Sequence, residues 1–420
     1  MLPGIGPAPG RVPRLMLWSA ADPAEEEALR ASLRRWIKAR GDRGFDGVAD
    51  AWGAPADGPA RGALVAAGAT EALAALDGLR PGALRGAAAG PDPVALLLPG
   101  QGAQHPRMAH GLYGVEPVFT EAVDEVLGLL GADGPAARAD WLSETPRLPL
   151  DDVRRTLPLV FAVDWALGRL LHSWGVRPAV LLGQGIGEQA AAALAEVMRL
   201  ADAVDVVREQ ADWLARTPEG GMLAVAAGPD TVRRLLTAGV TVAAVNGPDQ
   251  TLLAGETRQL ADSTRALALA GLTAMKVRAG AAYHSPVVAS ACRRAAEVYR
   301  RIDLRVPAVP LYSATTGGPL PAELAVDPEF WAGQPSRPVR LESALNALFA
   351  TGPHLCVECG PGQGLNALVR RHPRARGGAV SLLSARPRNA EHDRRSALTA
   401  AARLWTAGHE IDLTAVHRLG

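Results

Sequence analysis

Short, wholly apolar runs that end at glycine or proline alternate along this chain with longer stretches of helical period. Val94-Ala-Leu-Leu-Leu98 runs straight into Pro99-Gly-Gln-Gly-Ala-Gln104, and Ala179-Val-Leu-Leu182 breaks at Gly183-Gln-Gly-Ile-Gly187 into an alanine-rich segment. Apolar runs without polar alternation predict strands buried on both faces. A long helix over Asp151–Trp174 separates these two, and Leu311–Ala314, Leu355–Glu358 and Val380–Leu383 predict further strands. Strands alternating with helices in this way imply a mainly parallel sheet covered on both sides.

From about Gly221 the rhythm changes. Strands are predicted at Met222–Ala226, Val240–Val245, Thr251–Ala254 and Ala274–Val277, with helices at Thr231–Ala238 and Arg258–Ala270. Strand-helix-strand-strand-helix-strand is the ferredoxin-like order. Ahead of the main body, Leu15–Trp18 reads as a strand. Asp22 caps a helix with Glu25, Glu26 and Glu27 in its first turn and Arg34, Arg35 and Lys38 further on, the polarity a helix dipole favours. A strand at Ala63–Ala67 and a helix ending near Pro81 complete a small α/β unit, and Ala87–Pro93 reads as a linker. A final helix is predicted over His392–Ala407.

Composition narrows the function classes. At 420 residues the chain can hold two or three compact units. With 48% hydrophobic and 21% charged residues it has the make-up of a soluble globular protein. A formal charge of +1 gives no footprint for nucleic acid or an anionic membrane. Lys38 and Lys276 are the only lysines, a bias that together with abundant Ala, Gly and Pro reflects a high-GC genome and not a function. The most apolar helical run, Leu157–Leu171, carries Asp164 and Arg169, so no membrane span is expected. The N-terminus lacks an apolar signal core, and three cysteines fit a reducing, cytoplasmic location. Cys356 and Cys359 form a C-x-x-C at a strand end without a second pair, which reads as small buried thiols and not a metal site.

The chemistry-bearing feature is the strand-turn-helix at Gly183–Glu188. A strand ending in G-x-S-x-G and opening into a helix is a nucleophile elbow, which holds its serine at the mouth of a sheet beside backbone N–H donors. This segment has the flanking glycines and the acidic residue beyond, but its centre is Gly185. Glycine has no atom with which to form an acyl ester. On its own the segment could equally be a glycine-rich helix start that cradles phosphate.

Five ordered motifs resolve the choice: Pro99–Gln104, Gly183–Glu188, Ala281-Ala-Tyr-His-Ser285, Trp331…Arg337-Pro-Val-Arg340 and Glu358-Cys-Gly-Pro361. Together they resemble the malonyl/acyl-carrier-protein acyltransferase family, most closely its polyketide synthase branch. The resemblance covers nearly the whole chain. It implies that Gln101 lies at the oxyanion hole, that His284 occupies the position of the base, and that the Gln334 backbone carbonyl orients His284. Gly185 stands where the family has its acylated serine, and Gln184 where the preceding histidine stands. Gln210 replaces the arginine that grips an extender's carboxylate, and Leu157 replaces a glutamine before Pro158. Tyr283 belongs to the same substrate-facing motif.

The fold expected is α/β: an α/β-hydrolase-like large subdomain (94–219 and 281–380) with an inserted ferredoxin-like subdomain (220–280). A disordered leader (1–12) and a small α/β linker domain (13–93) of the ketosynthase-to-acyltransferase type precede it, and a post-acyltransferase linker (381–420), with Arg403-Leu-Trp405 and Ile411-Asp-Leu413, follows. The cleft between subdomains is expected to hold Gln101, Gly185, Gln210 and His284. Gln210 alone would suggest loading of a monocarboxylic starter, but with Gly185 and Gln184 the pattern is that of a site released from catalysis. The chain is therefore expected to be a pseudo-acyltransferase, a scaffold or a module that binds an acyl carrier protein or a ketosynthase. An acyl-CoA or acyl thioester is a possible ligand. Neither metal nor cofactor is implied. Two other chemistries stay open: a nucleophile relocated to Ser285 or Cys359, and hydrolysis or direct thioester transfer with His284 as base and Gln101 at the oxyanion. The sequence fits a free-standing protein or an excised part of a megasynthase equally well.

Overall fold

The computed structural model describes residues 11–51, 58–87, 90–383 and 391–418. Most of the expected leader, and part of the expected linker at 87–93, lie outside these residues. Near the N-terminus, β1 (Arg14–Ala20), β2 (Ala60–Ala66) and β3 (Ala83–Ala87) form an antiparallel sheet in the order β1-β2-β3. Side chains of a strand alternate between faces. Met16 and Trp18 accordingly pack with Leu33, Ile37 and Phe45 of the helix Pro23–Ala51, while Leu15 and Leu17 point into the main core. Asp22 Oδ1 accepts the N–H groups of Ala24 and Glu25 at 2.8 and 2.9 Å, the cap read from the sequence.

The other face of this sheet is covered from the far end of the chain. The helix Glu391–Thr406 lies on it, and Trp405 Nε1 donates to the carbonyls of Trp18 and Gly62 at 3.2 and 3.1 Å. Arg395 pairs with Glu71 at 2.6 Å, and buried Arg394 with Glu116 at 2.7 Å. A short helix at Leu413–His417 follows, and His417 Nε2 lies 2.7 Å from the Leu15 carbonyl oxygen.

The central sheet begins with β4 (Val94–Leu98) and β5 (Val180–Gly183), separated by the helix Val153–Ser173, which Asp152 caps. The inserted unit follows: β6 (Gly220–Val225), β7 (Thr241–Gly247), β8 (Gln250–Glu256) and β9 (Ala274–Lys276) pair antiparallel in the order β7-β8-β6-β9, the ferredoxin-like arrangement. Its second helix, Thr257–Leu269, opens on a capping box between Glu256 and Gln259. Its first is shorter than expected, Pro229–Arg233, because the chain tightens into i→i+3 turns such as Leu235 N–H to Val232 O. The central sheet resumes with β10 (Leu311–Ser313), β11 (Gly318–Pro319), β12 (Leu355–Glu358) and β13 (Ala379–Ser381), in the order β11-β10-β5-β4-β12-β13, parallel except for β11. The two sheets are stitched together at Val339, which donates to the Ala243 carbonyl at 2.8 Å and accepts from Val245 at 2.9 Å.

Candidate active site

β5 delivers the elbow. Gln184 N–H bonds the Leu98 carbonyl at 3.1 Å, and Gly185 takes φ 56° and ψ −127° before the helix Ile186–Leu194 begins. Positive φ favours glycine, although a strained non-glycine residue is tolerated where the surroundings enforce it. Close approach explains the next glycine, since a Cβ on Gly187 would lie 2.2 Å from the Leu98 carbonyl oxygen. The local backbone is thus that of a nucleophile elbow in everything but the side chain at its apex.

The apex is not empty. A Cβ built on Gly185 would lie 2.6 Å from Gln101 Oε1, and that oxygen accepts the Ile186 N–H at 3.4 Å. In an elbow, the N–H of the residue after the nucleophile is one of the two oxyanion donors. The Gln101 carboxamide therefore lies against the apex and engages that donor.

His284 sits behind this loop, 6% exposed and in the left-handed region at φ 61°. Its N–H bonds the Pro335 carbonyl at 2.6 Å, and its Nδ1 lies 3.0 Å from the Arg337 carbonyl oxygen. A carbonyl only accepts, so Nδ1 carries the proton and Nε2 keeps its lone pair, the tautomer a general base needs. Burial lowers its pKa to about 4, while the Arg337 and Gln334 carbonyls act in the opposite direction. The Gln334 carbonyl lies near the ring as well, but the partner of Nδ1 is Arg337, which the sequence did not reveal. The Gln334 side chain has a separate contact, since its Nε2 donates to the Gly185 carbonyl at 2.9 Å.

Gln210 is buried, and its Oε1 accepts from Gln189 Nε2 at 3.0 Å. Sequence reasoning did not single out Gln189. Leu157 and Tyr283 are buried as well, and desolvation raises the Tyr283 phenol pKa. The open cleft between the subdomains measures about 1040 Å³ and is lined by Gln101 and Gln184 but not by Gly185, His284, Gln334, Gln210, Leu157 or Tyr283. Gly185, Gln210 and His284 are themselves buried.

What does line the cleft is rich in carboxamides. Gln104, Gln184, Asn246, Gln250 and Gln363 join Gln101, with Met275 of β9 opposite and Lys276, Arg278 and Arg371 as cations. Gln184 Nε2 reaches Asn246 Oδ1 at 3.5 Å, across the two subdomains.

The alternative nucleophiles are poorly placed. Ser285 Oγ donates to the Ala282 carbonyl at 2.6 Å and accepts from Val287 N–H at 3.3 Å, which is helix capping. Cys359 is fully buried with its thiol pKa raised well above normal, first by burial and then by Asp164. Among the described residues, no cluster of three or more His, Cys, Asp or Glu side chains is placed to hold a metal, and no helix is long and apolar enough to cross a membrane.

Comparison with known proteins places this geometry. A family model described as the acyl transferase domain matches residues 96–410. A phenolphthiocerol/phthiocerol polyketide synthase of Mycobacterium tuberculosis is 36% identical over 325 residues, covering 77% of this chain and 22% of that protein. Polyketide synthase GfsA of Streptomyces halstedii is 32% identical over 415 residues, covering 96% of this chain and 5% of GfsA. The chain thus spans about a fifth or less of the length of these relatives. The solved acyl transferase domain of SpnD, in complex with 2-(pent-4-yn-1-yl)malonyl, superposes with a TM-score of 0.82 at 29% identity, over 96% of this chain and 97% of that one.

Proposed function

The chain belongs to the acyl transferase domain family of polyketide synthases, and we propose that within it this chain is a pseudo-acyltransferase, keeping the fold without forming an acyl-enzyme. The observation that carries this reading is the apex of the elbow: Gly185 offers no oxygen, and Gln101 Oε1 lies against it and takes the Ile186 N–H.

Covalent acyl transfer needs a hydroxyl to attack the thioester, a base to remove its proton and donors for the oxyanion. His284 has the tautomer of the base but no hydroxyl proton to take. Members of such a triad act as a unit, and losing the nucleophile costs on the order of a million-fold in rate. Gln210 cannot make the charged, bidentate grip that an arginine gives a carboxylate, and its Oε1 already accepts from Gln189.

The remaining function is then recognition. The open cleft would still receive an acyl carrier protein or the thioester it carries, and the segments 13–93 and 381–420, packed on each other, would serve as the two linkers that hold the module beside a ketosynthase. Water-activated hydrolysis through His284 is disfavoured because the ring is buried and burial lowers its pKa to about 4, which makes it a weak base.

Incubation with malonyl-, methylmalonyl- and acetyl-CoA, followed by intact-mass measurement, is expected to leave the protein mass unchanged. A stoichiometric acyl adduct would sink the proposal.

A further inference from the structure

A second cavity, of about 400 Å³, opens among the helices Gly134–Leu142, Val153–Ser173 and Leu200–Leu214 and shares no lining residue with the cleft. Leu148, Pro158 and Ala211 give it an apolar lining. Four guanidiniums also line it, those of Arg147, Arg154, Arg155 and Arg208, and Arg155 and Arg208 each have a buried Nε–H with no acceptor.

Arg155 is only 4% exposed. Its two terminal nitrogens donate to the backbone carbonyls of Leu148 and Asp140 at 2.8 and 3.1 Å, which fix the plane of the group without neutralising it. The neighbouring Asp140 carboxylate is already taken by Arg147, through the backbone N–H at 3.0 Å and Nε at 3.3 Å. Arg208 reaches Asp205 and Glu209 only at 3.5 and 3.7 Å. Arg154, in the same wall, is chelated by Asp152 and contributes little.

A buried guanidinium with a donor left unmade, whose nearby carboxylate, Asp140, is shared with Arg147, gains from a ligand that supplies an acceptor and further negative charge. The guanidinium fork matches carboxylate and phosphate oxygens, and the cavity lies in the size range of small-molecule sites. The carboxylates of Asp133 and Asp212, at exposed positions of the same wall, would repel a second negative group. We propose that this cavity binds a small organic anion, a single carboxylate or phosphate head on a short apolar body, with its head toward Arg155 and Arg208. The site is independent of the chemistry at Gly185 and does not rest on the reading of the cleft.

The test is titration calorimetry of the full chain with hexanoate, hexyl phosphate and hexylamine. One of the two anions, or both, is expected to bind with a stoichiometry of about one, the comparison between them identifying the preferred head group, while hexylamine gives no heat of binding. Arg208→Gln is expected to weaken binding about tenfold. Ala211→Phe, which fills the cavity, is expected to abolish it, with circular dichroism verifying that the variant is folded. No binding of either anion, equal binding of hexylamine, or binding that survives in both folded variants would each overturn the proposal.

Discussion

The Gln334 side chain donates to the Gly185 carbonyl at 2.9 Å, so the turn that holds His284 is tied directly to the apex of the elbow. The bond is buried, and the same carbonyl also accepts the Glu188 N–H at 3.0 Å. Losing the side chain leaves the carbonyl with its other donor but also removes a hydrogen bond to the buried Glu188 carboxylate, so the cost exceeds that of a single hydrogen bond, about 1 kcal/mol. Gln334→Leu is expected to lower unfolding stability by more than that amount, read from the urea midpoint at unchanged slope. An unchanged midpoint would show that the elbow does not rely on this tie.

Restoring the hydroxyl is the sharper test of lost catalysis. In Gly185→Ser, Gln101 has to rotate away, which is cheap for the end of a flexible side chain, and the φ of 56° adds strain of about 1–3 kcal/mol. The expected result is a folded protein that still takes up no stoichiometric malonyl label, because Gln210 gives the carboxylate no charged partner. Full malonylation of the variant would show that the serine is the only missing part.

Asp164 predicts a pH effect. It is fully buried on the helix Val153–Ser173, neither oxygen has a hydrogen-bond partner, and desolvation, with Glu358 adding to it, holds its pKa well above the usual range. A carboxyl whose folded pKa is raised favours folding most below its unfolded pKa, about 3.9, and loses that contribution as pH climbs toward the folded value. Asp164→Asn mimics the neutral form at every pH. The variant's thermal midpoint is expected to match the parent's near pH 4 and to rise above it by pH 7. His284 acts with the opposite slope, its pKa being depressed to about 4, but it is common to both proteins and cancels in the comparison. A difference that does not grow between those two pH values would contradict the burial argument.

The contact between the flanks can be broken at one residue. Trp405 is buried, with its indole N–H shared between the Trp18 and Gly62 carbonyls. Trp405→Ala is expected to cost about 3–5 kcal/mol and to make the N-terminal sheet and the helix Glu391–Thr406 susceptible to protease together. Cleavage confined to one of them would mean that they fold separately.

The fold was most legible where one face or both faces of an element are unambiguous. β4 and β12 could be read directly, since a strand covered on both sides has no reason to carry polar residues. β3 escaped notice because Ala83-Leu-Arg-Gly-Ala87 has a single large apolar residue, and its Gly86 is there for packing: a Cβ would collide with the Thr406 carbonyl. That neighbour lies more than three hundred positions away, so no local pattern could announce it. The ferredoxin-like order was visible, although the helix expected at 231–238 was overextended past Arg233, where periodicity continues but the backbone tightens. At the site, the family resemblance singled out Gly185, Gln101 and His284. It did not reveal that Gln101 turns onto the apex or that Gln189 caps Gln210, because the directions of long, uncharged side chains depend on the cavity they find.

The hydrogen bond between His417 and the Leu15 carbonyl puts β1 and the helix Leu413–His417 side by side. Where two such elements adjoin in space, their order along the chain is not dictated by the final shape. A circular permutant that starts in an exposed loop and links the helix Leu413–His417 to β1 through a glycine-serine bridge should reach the same architecture.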